Sequence, residues 1–150
     1  MLKQRGEYVA IGESAGGGLV SAALIAQPGA SAFFIGGTTI YTPHAGRALR
    51  DRATLNLSGL TPLTPAFAQE LADGYRRQIA CDWATSEMGA AGPAASPYGP
   101  QPGTAVVAVS GPVCQAHLIE TGSADRVSNM RAFGAAHLQL LIACLRAAGG

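Results

Sequence analysis

The sequence predicts a single α/β domain over residues 1–150, a three-layer α/β/α arrangement with a mixed, mostly parallel sheet flanked by helices. Three observations carry that expectation. Short β-rich apolar runs alternate with segments of helical periodicity, the pattern of strands joined by crossover helices. No linker divides two apolar blocks and no internal repeat is present, so one core is expected. A glycine-rich turn directly follows the first apolar run, and in open α/β sheets such strand-to-helix turns gather at one edge and form the ligand crevice.

Taken in order, "EYVAIG" reads as a short buried strand, and Leu19, Ala22, Ala23 and Ala26 then recur at helical spacing. "AFFIGGTTIY" is β-branched and aromatic enough for a second strand, with Gly36 and Gly37 marking a bulge or a close backbone approach. Thr42-Pro43 and Thr64-Pro65 each pair an N-cap with proline at the first helical position, which predicts helices over "PHAGRALRDR" and "AFAQELADGYRRQI". In the second of these, Phe67, Leu71, Tyr75 and Ile79 share one face. "DWATSEM" reads as a strand, and the breakers of residues 89–103 as a loop. Two strands about Ser110-Gly111-Pro112 follow, and a helix from about Ser123 to Leu145 closes the order β-α-β-α-α-β-β-β-α.

The ten basic and nine acidic residues nearly cancel and the arginines form no stripe, so neither a nucleic acid nor a membrane surface is an expected partner. Lys3 is the only lysine. No run reaches the roughly 18 to 20 apolar residues of a membrane span, and the N-terminus lacks a signal core. The three cysteines are far apart and in apolar surroundings, which suits buried thiols in a reducing, cytoplasmic compartment and predicts no metal site.

The stretch "GESAGGG", residues 12 to 18, is where chemistry is most concentrated. Glycines opening a helix let backbone N–H groups approach an anion, with the helix dipole favouring negative charge there. The same residues also suit a plainer role, with Ser14 as N-cap and the glycines permitting tight helix–sheet packing. Neither a Walker sequence nor a dinucleotide fingerprint is present. Residues 12–16 match the Gly-x-Ser-x-Gly string, but His117 and His137 fall in a strand and a helix and complete no ordered triad.

"GESAGGGLVSAALIAQPGASAFFIGGTTIYT", with "GAAGP" at 89–93 and "PGTAVVAV" after it, resembles the C-terminal domain of the competence/damage-inducible CinA proteins. Stand-alone members of that family are nicotinamide-nucleotide amidohydrolases. The resemblance covers essentially the whole chain, although only "LKQRG" remains of the family's first helix, which predicts exposed apolar surface and self-association. It implies hydrolysis of the carboxamide of nicotinamide mononucleotide, with no cofactor and with pairing into a homodimer or higher homo-oligomer. By the same resemblance Ser14 is the nucleophile and Tyr41 assists proton transfer. Glu13, Ala15, Gly16 and Gly17, with Gly89, Gly92 and Pro93 of the later loop, are the substrate-contacting positions. Backbone N–H groups of residues 15 to 17 would stabilise the oxyanion.

Two departures bear on this. The family's lysine, five residues beyond its tyrosine, is Gly46 here, and its Cys-Thr after the serine is Ala15-Gly16. A serine without a base is a poor nucleophile. Lys3 precedes the first strand and so lies roughly 20 Å from Ser14 at about 3.3 Å per residue, which leaves His44 as the local base candidate. The expected function is therefore either the amidohydrolase or a catalytically impaired relative that binds a pyridine nucleotide or a protein partner.

Overall fold

The computed structural model describes residues 1–50 and 53–149. Its elements are α1 (Leu2–Arg5), β1 (Val9–Glu13), α2 (Leu19–Ile25), a 3₁₀ turn (Ala30–Ala32), β2 (Phe34–Thr39), α3 (Pro43–Leu49), α4 (Pro65–Ile79), β3 (Trp83–Ala90), β4 (Thr104–Ser110), β5 (Gln115–Glu120) and α5 (Arg126–Ala147). Every expected strand and helix is present. Asp51 and Arg52, the last two residues of the helix expected over 43–52, lie outside the described residues. Beyond Gly89, β3 continues to Ala90, so the loop expected from residue 89 begins after Ala90.

The five strands form one sheet in the order β2-β1-β3-β4-β5. β1 pairs in parallel with β2 and β3, whereas β3–β4 and β4–β5 are antiparallel. β4 alone therefore runs against the others, and the sheet is mixed. Because β2 and β3 flank β1 on opposite sides, the chain leaves β1 in one direction and returns in the other. The carboxyl end of β1 is the topological switch point at which such sheets hold ligands.

Period-two alternation sorts the core into two faces. Val9, Ile11, Trp83, Val107 and Val109 pack with Val20 of α2 and Leu140, Leu141 and Cys144 of α5. The intervening positions meet α4: Ala84 packs with Phe67, Leu71 and Tyr75, and Val106 and Ala108 pack with Ala68 and Ala72. Helices on both faces make the three layers. Ile79, expected on the apolar face of α4, is instead 39% exposed, at the last residue of that helix.

The start signals act as expected. The Thr42 and Thr64 hydroxyls accept from Ala45 N at 3.1 Å and Phe67 N at 3.3 Å. The bulge in β2 falls between Phe34, opposite Val9, and Gly36, opposite Ala10. Gly37 marks a close approach, since a Cβ there would meet the Ser21 hydroxyl. The cysteines do not all fill the core: Cys144 is buried, Cys81 is half-buried and Cys114 is exposed at the β4–β5 turn. Among the described residues, no helix is long and apolar enough to cross a membrane.

Gly12, in the buried β1 strand, lies against the Tyr75 ring, so a Cβ would clash with the Cε2 edge of that ring. Gly12→Ala is expected to destabilise the fold by about 1–3 kcal/mol through overpacking, whereas Gly36→Ala, which opens onto free space, should cost little. Urea unfolding midpoints of the two variants check the contrast.

Candidate functional site

The turn after β1 is built around two buried carboxylates. Alternation along β1 and β3 sends Glu13 and Glu87 to the same face as α2 and α5, and both are 2% exposed. Glu13 Oε1 accepts from Val20 N at 2.9 Å, and its Oε2 accepts from Ser21 N at 3.0 Å and Ser21 Oγ at 2.7 Å. It thereby satisfies the free amides at the start of α2 and sits where the helix dipole favours an anion. The cap of α2 is thus Glu13, and Ser14 does not fill that role.

Glu87 Oε2 accepts from Ser14 N at 2.9 Å and Gly16 N at 2.8 Å, while Oε1 has no partner among the described residues. A Cβ at residue 16 would lie 3.1 Å from Glu87 Oε2 and 3.3 Å from Glu13 Oε1. Gly16 is therefore wedged between the two acids, with little room for a side chain. Burial raises the Glu87 pKa to about 7, and the Glu13 charge adds to the rise, against the pull of the Ser14, Gly16 and Ala15 amides. Beneath it, His137 of α5 places Nε2 2.5 Å from Thr85 Oγ1 and leaves Nδ1 unpartnered among the described residues. Burial lowers its pKa to about 4.

This arrangement corrects part of the sequence reading. The amide of Gly16 is turned inward to Glu87, and that of Gly17 donates to Ser14 O at 3.2 Å. A buried carboxylate needs donors, and it draws on the amides expected to meet an oxyanion. Glu13, Ala15, Gly16 and Gly17 accordingly line no part of the cavity on the other side of the turn.

That cavity, about 850 Å³, opens at the carboxyl edge of the sheet. It brings together Ser14, Tyr41, Gly89, Gly92 and Pro93 from the expected positions, and Tyr98 from the long loop. His44 is exposed on the first turn of α3 and does not line it. Lys3 lies beside Gly29, on the connection that leads into the opposite end of the sheet. Among the described residues, no side chain accepts a hydrogen bond from the Ser14 hydroxyl, and no three His, Cys, Asp or Glu side chains gather as a metal-binding group.

The cavity wall is cationic. Arg47, Arg50 and Arg126 line it, and no Asp or Glu does among the described residues. Arg126 donates to Gly92 O at 2.7 Å and to Tyr41 Oη at 2.6 Å, with its guanidinium 5.7 Å from the centre of the Tyr41 ring. The first turn of α5, capped by Asp125 on Ser128 N, thus ties the loop after β3 to the end of β2. Asn129 reinforces the tie by donating to Ala91 O at 2.9 Å and Ser123 O at 2.8 Å. Gly89 lacks a Cβ because Phe133 packs there, 2.7 Å from where one would stand. The sequence analysis assigned no role to Arg50, Glu87 or Arg126.

The folded Glu87 carboxyl keeps its proton to about pH 7, against an ordinary value of 4.5, so the unfolded chain binds fewer protons between those limits. Stability from this group is complete below 4.5 and is lost as pH rises through 7. His137 works oppositely: its contribution is present above its ordinary 6.5 and is lost as pH falls through about 4. Glu87→Gln should therefore gain stability relative to the parent by about 3 kcal/mol between about pH 4 and about pH 8, as read from urea midpoints across pH. A difference that stays constant with pH would show that Glu87 does not titrate on folding.

The comparisons with known proteins agree with this architecture. Residues 1–145 match the family model of the CinA C-terminal domain. A "CinA-like protein" of Prochlorococcus marinus is 35% identical over 123 residues, covering 81% of this chain and 29% of the relative. A "CinA-like protein" of Parasynechococcus marenigrum is 31% identical over 146 residues, covering 97% and 33%. The chain thus spans about a third of the length of these curated relatives. Among solved structures, competence damage-inducible protein A (ComA) from Klebsiella pneumoniae superposes with a TM-score of 0.83 at 25% identity, over 97% of this chain and 90% of that one. The competence/damage inducible protein CihA from Agrobacterium tumefaciens gives 0.81 at 26%, over 95% and 88%. With nearly its full length matched, on the sheet and switch-point cavity described above, the chain belongs to the CinA C-terminal domain family.

Proposed function

We propose that the cavity binds a pyridine mononucleotide and that the chain hydrolyses its carboxamide poorly or not at all. The single observation behind this reading is the state of the Ser14 turn. The hydroxyl borders the cavity without a proton acceptor among the described residues, while the amides of Ser14 and Gly16 are held from behind by Glu87. A serine with neither base nor oxyanion donors lacks both main sources of acyl-transfer rate. Other features of the cavity support the binding half of the reading. Tyr41 and Tyr98 offer aromatic faces, and guanidinium groups offer countercharge to a phosphate.

Ammonia release from nicotinamide mononucleotide tests the chemical half. The parent protein and Ser14→Ala should differ by no more than a few fold, at the background rate. Because a Cβ at residue 46 would stand 3.2 Å from Arg50 Nη1, a lysine there needs that space cleared. The double variant Gly46→Lys/Arg50→Ala is expected to gain about 100-fold or more, the scale of a restored proton acceptor. Thermal shift tests the binding half, since a ligand at about 100 times its Kd adds about 2.7 kcal/mol of apparent stability. Rapid turnover by the parent that disappears in Ser14→Ala would make the chain an active amidohydrolase and overturn the impaired reading.

A further inference from the structure

We infer that the cavity selects the carboxylate form of its pyridine nucleotide over the carboxamide, and that Arg50 makes the selection; this rests on reading the cavity as a pyridine-nucleotide site. The glycine at residue 46 leaves α3 without a side chain facing Ile40, and the Arg50 guanidinium occupies that space. From the Cβ position of residue 46, Arg50 Nη1 is 3.2 Å away, Arg50 Cζ 3.6 Å and Ile40 Cγ2 3.8 Å. The guanidinium is held from the other side by Tyr75, whose hydroxyl lies 3.4 Å from Arg50 Nε. The Tyr75 ring in turn packs on Gly12, two residues before Ser14. Arg50 thus lines the same cavity as Ser14 and is linked to the β1 turn through Tyr75 and Gly12; it is half-buried, with both Nη atoms free of protein acceptors among the described residues.

The three arginines that line the cavity among the described residues are not equivalent. Arg126 already donates to Gly92 and Tyr41, whereas Arg50 presents an unused fork. A guanidinium stays charged throughout the working pH range and donates two parallel hydrogen bonds to a planar pair of oxygens. A ring carboxylate supplies that pair. A carboxamide supplies one oxygen and an NH₂ whose hydrogens would face the guanidinium N–H groups, leaving a donor unpaired. With no carboxylate of the protein on the wall among the described residues, a ligand with both a phosphate and a ring carboxylate balances the arginine charge better than one with a phosphate alone. An acid has no amide to cleave, so the missing base at Ser14 costs such a site nothing.

Titration calorimetry of the whole chain with nicotinic acid mononucleotide and with nicotinamide mononucleotide at neutral pH tests this directly. The acid is expected to bind about tenfold tighter or better, from one added charge-assisted bidentate contact. Arg50→Gln should bring the two affinities to within about threefold by weakening the acid alone, and Arg50→Lys, which keeps the charge and loses the fork, should fall between. Arg47→Gln should weaken both ligands together if it meets the phosphate, and should leave the acid-to-amide ratio standing. Equal affinities in the parent protein, or a preference unchanged in both Arg50 variants, would overturn the inference and leave the nucleotide reading in place. If neither nucleotide binds the parent protein, the nucleotide reading itself falls and this inference with it.

Discussion

The carboxylate of Glu87, buried beneath the glycine turn, is the constraint around which the functional edge of this domain is arranged. Taking a carboxyl group out of water is costly unless hydrogen-bond partners replace the lost hydration, and the donors that meet Glu87 Oε2 are the backbone amides of Ser14 and Gly16. Their commitment fixes the direction of the whole turn. It leaves Gly16 little room for a substituent, because Glu13 closes in from the other side while capping α2. Two acids of the same hand on neighbouring strands thus hold the entry to α2 and the placement of Ser14 together.

The chemistry of the cavity follows from that arrangement. Amides that a nucleophilic serine would need on its cavity side serve the interior, so positive character at the site comes from side chains. Those side chains arrive from separate places: Arg126 from the first turn of α5, and Arg47 and Arg50 from α3 and its C-terminal end. Arg126 is locked by its bonds to Gly92 and Tyr41, which makes it part of the wall as much as a ligand group. A pocket so built suits the anionic ligand inferred above better than a neutral group that must be polarised and cleaved.

The architecture was legible in the sequence because its signals are local. Alternation marked the strands, the two Thr-Pro pairs marked helix starts, and the turn after "YVAI" marked the crevice. The order of motifs through "GAAGP" pointed to the family. The site was legible only in outline, because its decisive contacts join residues far apart in the chain. Nothing in "DWATSEM" distinguishes Glu87 from a solvent-facing acid. Parity is the signal that could have found it, since Trp83, Thr85 and Glu87 must share a face if tryptophan is buried. Asn129, Phe133 and His137 of α5 fall on one face at a spacing of four, but only Phe133 reads as an apolar marker, since Asn129 and His137 are polar. Arg50 was illegible for a different reason: its position depends on what residue 46 lacks.

The lone tryptophan occupies the far end of the same sheet. Trp83 is fully buried at the start of β3, donates its indole N–H to Glu7 Oε2 at 2.8 Å, and lies against Gly111. β3 runs the length of the sheet from there to Ala90 at the cavity rim. Tryptophan emission in this protein is therefore a gauge of global unfolding set apart from the crevice, whereas Tyr41 and Tyr98 are the native chromophores at the crevice itself.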